Sequence, residues 1–440
     1  MLIHIIKILL SGILCSFYMF PVEFKFFPGI NTKMIMAGVS LFILATQLAR
    51  GRSAKIDKSF FVLSVIAVLV SLICYAAVTI NGTNDYTYAT YIVSMWVWLG
   101  GAYTITSLLK KGHGCLSVRL VCNYFIVVCV AQCIIALVID YSPGLKNFVD
   151  GLIIGFDFVG MDILGNAERL YGIGAALDVA GTRFSSALIM IAVITLNLNE
   201  DRERRLLPLY LLAFVAIAVL GNMIARTTTV GMLLAIMCWF LAPQSLAPEG
   251  KRKIFMWLGI LLLLLIPYMI YMYYISPDFK SQISFAFEGF FSLAENGKWD
   301  VSSNNNLLGM IVFPESLKTW LIGDGYIENP RVTDPYYVGT HYSGYYMGTD
   351  IGYLRFIFYF GILGLLVFMY LFFKTAGICA NRFQRYRLMF WMILLANYII
   401  WLKVATDLFV VFALFLCISQ EDNDEYEKSY ENSMSDPLDI

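Results

Sequence analysis

Charge is scarce in this chain. Only 14% of its 440 residues are Asp, Glu, Lys or Arg, against about 25% in a soluble domain. The 31 acids balance the 31 bases. The scarcity excludes a soluble globular protein, and the balance leaves no basic excess for a nucleic-acid partner. Histidine numbers three. Asp150, Asp157 and Asp162 have no matching His or Cys, so no dedicated metal site is expected. None of the nine cysteines forms a Cys-x-x-Cys pair, and the long polar segments hold none, which argues against a disulfide framework. No glycine-rich phosphate loop follows a strand, so a nucleotide cofactor is not expected either.

What the chain has is apolar length. Hydrophobic residues make up 59% of it and aromatics 15%, with a mean hydropathy of +0.73. Backbone groups in hydrocarbon must be paired within the chain, so apolar runs of about 20 residues are read as membrane helices. About twelve are expected, at 3–21, 34–49, 60–80, 89–109, 119–141, 184–199, 206–225, 228–243, 254–275, 350–373, 387–403 and 406–420. The first run lacks a small-residue cleavage site and is read as a retained span. The seventh and eighth meet at a polar Arg226-Thr227-Thr228-Thr229 turn, and the last two meet around Lys403 and Asp407. The expected fold is all-α, a polytopic helical bundle forming one membrane-embedded domain over 1–420. Residues 421–440, with eight acids against Lys428, read as a solvated, disordered tail.

The loops orient this bundle. Arg50, Arg52, Lys55 and Lys58 lie in one short loop, and Lys110, Lys111 and Arg119 in another. Arg202, Arg204 and Arg205, then Lys251, Arg252 and Lys253, and finally Lys374, Arg382, Arg385 and Arg387 mark three more. By the positive-inside rule these face the cytoplasm, and an even number of spans puts both termini there. Two long segments, about 142–183 and about 276–349, then lie on the opposite face with short helices of their own. No internal repeat or inverted symmetry is visible, as a transporter would show.

Chemistry is sought on that face. Arg169, Arg183, Arg226 and Arg355 stand at or near its edge. Cations so close to hydrocarbon usually face a bundle interior or a watery cavity. A guanidinium grips phosphate bidentately and stays charged, so a phosphorylated lipid is one reading. Snorkelling, or pairing with Glu168, Asp178 or Asp350, is the other. Phe285, Phe287, Phe290 and Phe291 suit an interfacial aromatic belt. Tyr336, Tyr337, Tyr342, Tyr345 and Tyr346 suit either that belt or a sugar-stacking surface. His341 is an idle loop residue or a general base, since imidazole titrates near neutrality. His4 and His113 are read as incidental, and the Asn81-Gly82-Thr83 sequon as a chance match.

Three pieces of the chain carry a resemblance. Arg169-Leu170-Tyr171-Gly172 is followed by Asp178, Ala225-Arg226-Thr227 opens a later span, and His341 precedes Thr349-Asp350-Ile351-Gly352-Tyr353-Leu354-Arg355. With its topology, the chain resembles the O-antigen polymerase and O-antigen ligase superfamily of bacterial inner-membrane proteins. The resemblance implies glycosyl transfer on the periplasmic face, from an oligosaccharide on undecaprenyl diphosphate to a sugar hydroxyl of another lipid-linked unit, without metal or nucleotide. It implies Arg169 and Arg226 on the diphosphate and His341 as base, oriented by Asp350, with Arg183, Arg355, Asp350 and Tyr342 binding substrate. Donor, acceptor and membrane lipid are the implied partners, and a chain-length regulator is left open. Tyr342, Arg355 and Ala225 stand where the ligase pattern has other residues, which favours the polymerase. The alternatives are a ligase that transfers the glycan to lipid A core, and a non-enzymatic flippase. Other membrane glycosyltransferases usually have a large acidic first loop, whereas here 22–33 holds only Glu23.

Overall fold

The structure, a computed structural model, describes residues 2–51, 57–154, 169–198, 201–241, 248–334, 337–342 and 344–425. Asp157, Asp162, Glu168, Arg52, Lys55, Tyr336 and the tail from 426 lie outside the described residues. The described chain is helical almost throughout. Helices α1 (Leu2–Met19), α2 (Thr32–Ala49), α3 (Lys58–Asn81), α4 (Tyr91–His113) and α5 (Val118–Tyr141) come first, then the short α6 (Pro143–Leu152). Next are α7 (Leu177–Leu196), a one-turn α8 (Asp201–Arg204), α9 (Leu207–Ile224), α10 (Thr228–Leu241) and α11 (Pro248–Ile275). Five short helices follow: α12 (Pro277–Ala286), α13 (Glu288–Asn296), α14 (Ser302–Gly309), α15 (Leu317–Ile322) and α16 (Pro330–Thr333). The chain closes with α17 (Gly352–Arg382), α18 (Arg387–Ile400) and α19 (Phe409–Leu416). Among the described residues the departures from all-α are a two-residue antiparallel pair, Glu23–Phe24 against Ile153–Ile154, and a single bridge from Glu23 to Asn31.

Among the described residues, eight helices are long and apolar enough to cross a membrane, with α1 and α10 apolar but shorter. This is an all-α, membrane-embedded helical protein. Helix α7 is its hub, with 94% of its apolar window buried, and it packs on α5, α9, α10 and α18. At the other extreme α11 has 6% buried, so its Leu, Ile and Tyr side chains are left for lipid. Close approach at the hub depends on small residues. A Cβ at Gly231 on α10 would lie 2.1 Å from Ser185 Cα on α7, and one at Gly181 would lie 1.8 Å from Thr227 Oγ1.

Several expectations need correction. Helix α7 begins at Leu177, seven residues before the expected span, so Arg183 sits inside a helix instead of at its edge. The last two expected spans are shorter than read. Helix α18 has 14 residues and α19 has 8, the latter about 12 Å long at 1.5 Å per residue. Every residue of α19 is buried, and the non-helical link before it is anchored at both ends by the buried Trp401 and Leu408. Trp401 Nε1 donates to Thr406 O at 2.7 Å, and Tyr353 N donates to Trp401 O at 3.1 Å, so carbonyls that the break frees find donors. The first residues expected in the disordered tail, up to 425, are ordered. Residues 420–425 are helical, Asp422 pairs with Lys110 at 2.8 Å, and Asn423 Oδ1 accepts from Val118 N at 3.0 Å.

Helix α17 is bent by Phe360 (φ −132°) and Gly361 (φ 68°). The bend leaves Phe358 and Tyr359 carbonyls unpaired within the helix. Asp324 N reaches the first at 2.6 Å and Gly325 N the second at 3.1 Å, from the segment just after α15. That segment is fastened again at Asp85, a fully buried carboxylate. Its Oδ2 accepts from Ile327 N and Glu328 N, both at 2.9 Å, while Oδ1 takes the Thr87 hydroxyl at 2.6 Å.

Candidate functional site

Arg169 and Arg226 lie 57 positions apart in sequence, and backbone packing brings them together. Residues 225–227 link α9 to α10. Ser185 Oγ of α7 donates to Thr227 O at 2.9 Å and accepts from Gly231 N at 3.2 Å, so this link is sewn onto the hub. Leu170 N then donates to Met223 O at 3.4 Å, laying the Arg169 segment along the end of α9. Gln132 of α5 holds the same segment from the other side. It accepts from Ile173 N at 2.9 Å and donates to Ile173 O at 3.0 Å. A Cβ at Gly172 would come within 2.4 Å of Gln132 Oε1, which explains the glycine of the Arg169-Leu170-Tyr171-Gly172 motif.

The two guanidinium groups share one aromatic ring. Arg226 Cζ lies 3.9 Å from the Phe285 centroid and Arg169 Cζ 4.8 Å from it. Each contact is a cation–π interaction, which offsets part of the repulsion between two like charges. Phe285 is delivered by α12, whose Gln282 Nε2 donates to Asp140 Oδ2 at 2.8 Å at the end of α5. The Nε atoms of Arg169 and Arg226 are buried and lack a hydrogen-bond partner among the described residues. Burial pushes both guanidiniums below their ordinary pKa, with Asp178 offsetting part of this at Arg169 and Glu288 at Arg226. Both stay protonated at any pH a cell reaches.

A third cation belongs to this group. Lys403, in the break between α18 and α19, has Asp178, Arg226, Arg169 and Asp350 as its electrostatic neighbours. The break is pressed against α17, where a Cβ at Gly352 would lie 2.6 Å from Val404 O. Three cations from three distant parts of the chain therefore lie within electrostatic reach of one another, with Asp178 and Asp350 as partial counter-charges.

The remaining candidates divide. Arg183 is 5% exposed and occupied by the protein itself, with Nε donating to Met19 O at 3.1 Å and Nη1 to Val179 O and Thr182 Oγ1, both at 3.0 Å. Its electrostatic neighbour is Asp407, which also faces Lys33 and caps α19 by accepting from Phe409 N at 2.7 Å. Arg355 stacks on Tyr345 at 3.3 Å and reaches Glu328 Oε1 at 3.2 Å. Burial raises the Glu328 carboxyl, and Arg355 offsets part of that rise. Asp350 is felt by Asp178, Lys403 and Tyr345.

His341 stands exposed on the loop before α17, with no hydrogen bond or ring contact among the described residues, and it touches neither Arg169 nor Arg226. Tyr342 beside it packs on Tyr346 at 5.2 Å, and Tyr346 on Tyr326 at 5.4 Å and Phe358 at 5.8 Å, a continuous aromatic surface.

Reading the sequence missed Lys403 and Glu288 as site residues and read Phe285 only as part of a belt. The polar gap at Lys403 was the available signal, but nothing local tied it to Arg169. Comparison with protein families, with curated proteins and with solved structures finds no match to this chain.

Proposed function

We propose that the protein polymerises lipid-linked polysaccharide repeat units. It would transfer a glycan from undecaprenyl diphosphate to a sugar hydroxyl of another lipid-linked unit, on the periplasmic face of the bacterial inner membrane. The observation that carries this reading is the pairing of Arg169 and Arg226 on Phe285, with Lys403 beside them. Partly buried cations at the end of an apolar bundle suit a ligand with an anionic head and a lipid tail. The aromatic surface around Tyr342 and Tyr346 suits saccharide rings, which stack on aromatic faces. The proposed topology counts α1, α10, α18 and α19 as membrane segments beside the eight long helices, twelve in all. With the basic loops inside, that even count puts both termini in the cytoplasm.

In this scheme the bond from the donor sugar's anomeric carbon to the diphosphate oxygen breaks, and its electron pair leaves with the diphosphate. The acceptor oxygen forms the new bond as its proton passes to a base. Arg169, Arg226 and Lys403 stabilise the charge growing on the leaving diphosphate, a contribution that dominates many such reactions. His341 is the proposed base, the one imidazole among the long segments. Arg355, Asp350 and Tyr342 are proposed to hold the acceptor. Arg183, bonded to Met19, Val179 and Thr182, is proposed to support the site by fixing α1 to α7.

The test is to incubate purified protein in nanodiscs with a synthetic polyprenyl-diphosphate repeat unit. A ladder of longer products is expected. Translocation without elongation, or unchanged substrate with correctly folded protein, would overturn the reading.

A further inference from the structure

Arg226 is occupied. Glu288, the first residue of α13, places Oε2 2.6 Å from Arg226 Nη1. Its two oxygens also accept from Ser302 N at 3.0 Å and Ser302 Oγ at 3.1 Å, and Arg226 Nη1 reaches Ser303 Oγ at 3.2 Å. One chain carboxylate thus holds the guanidinium, a backbone N–H and a hydroxyl at once. Phosphate oxygens take the same donors, because carboxylate and phosphate present similar paired acceptors to guanidinium.

We propose that Glu288 is a built-in stand-in for the ligand's phosphate, filling the Arg226 position at rest and exchanging with the diphosphate of a lipid-linked substrate. The inference rests on the phosphate-binding reading above and specifies where the first phosphate binds and what it displaces. Charge requires the exchange: a diphosphate arriving at Arg169, Arg226 and Lys403 would be repelled by a carboxylate still seated on Arg226. The pair is also accessible enough to open, since the Arg226 side chain is 13% exposed and that of Glu288 29%. The segment that carries Glu288 is lightly held. Helix α13 buries only Gly289, against Trp299, and α14 buries nothing. Release of Glu288 therefore frees α13 and α14 to lift from the arginines as the ligand enters.

Binding of a short polyprenyl diphosphate and of its monophosphate to the full chain in nanodiscs tests this. Glu288→Gln keeps the side chain's shape and removes its charge, so it should tighten diphosphate binding roughly three- to tenfold. Ser302→Ala, which loosens the carboxylate's grip, should move affinity the same way by less, while Glu295→Gln on the exposed side of α13 should change nothing. In the wild type, the diphosphate should also speed hydrogen exchange across 288–309. If wild type binds and Glu288→Gln binds equally or more weakly, the stand-in role is overturned and the phosphate site survives. If neither binds, and no product ladder forms, the phosphate-binding reading falls with it.

Discussion

At the residue scale, the argument turns on guanidinium chemistry. Arg226→Ala or Arg169→Ala removes a partly buried donor. Either should lower polymerisation about 10²- to 10³-fold, with protein abundance unchanged on a quantitative blot; retained turnover would remove that residue from the mechanism. Lysine at either position keeps the charge but loses the planar stack on Phe285, so recovery should be partial. His341→Ala should depress turnover while leaving diphosphate affinity intact, because an exposed imidazole away from the arginines has no part in holding phosphate. A fully active variant would transfer the base role elsewhere, with Glu288, paired to Arg226, and Asp178, which acts electrostatically on Arg169, the carboxylates to test. The two arginines were legible in the sequence because a cation next to an apolar run is itself a signal. Phe285 and Glu288 were not, because a phenylalanine among phenylalanines and a glutamate in a polar loop announce nothing until the fold sets them against Arg226.

At the element scale, two contacts position the site. The first is the α7–α10 seam, where Gly231 admits the Ser185 backbone. Gly231→Val would force the helices apart and tilt the Arg226 link, destabilising the protein by about 3 kcal/mol. A fall in thermal midpoint accompanied by loss of diphosphate binding is expected; an unchanged midpoint would mean the seam yields without strain. The second is the Asp85 clamp on 327–328. Asp85→Ala would orphan two backbone N–H groups at a loss of about 2 kcal/mol, and hydrogen exchange there should quicken while α7 stays protected. The long helices were readable from hydropathy because lipid-facing and buried residues are both apolar. Their ends were less so. Helix α7 keeps going through Arg183 because the protein interior, and not water, satisfies that side chain. The break after α18 has the opposite cause. Lys403 and Asp407 mark the break in the sequence, while the donors that make it tolerable, Tyr353 N and Trp401 Nε1, are brought to it by the fold.

At the scale of the whole molecule, orientation is open to direct measurement. A membrane-impermeant maleimide should label a Glu295→Cys variant in intact cells and reach Cys115 only after permeabilisation. Labelling of Cys115 in intact cells would turn the bundle over and place the arginines on the cytoplasmic side. The bend in α17 has a consequence for how the chain comes together. Gly361 adopts a conformation that leaves its Cβ position 2.2 Å from the Leu321 backbone, and amides of residues 324 and 325 complete the bent turn. Those residues leave the ribosome before the helix they complete. The bent turn can therefore be completed as soon as α17 emerges, by a piece of chain synthesised earlier.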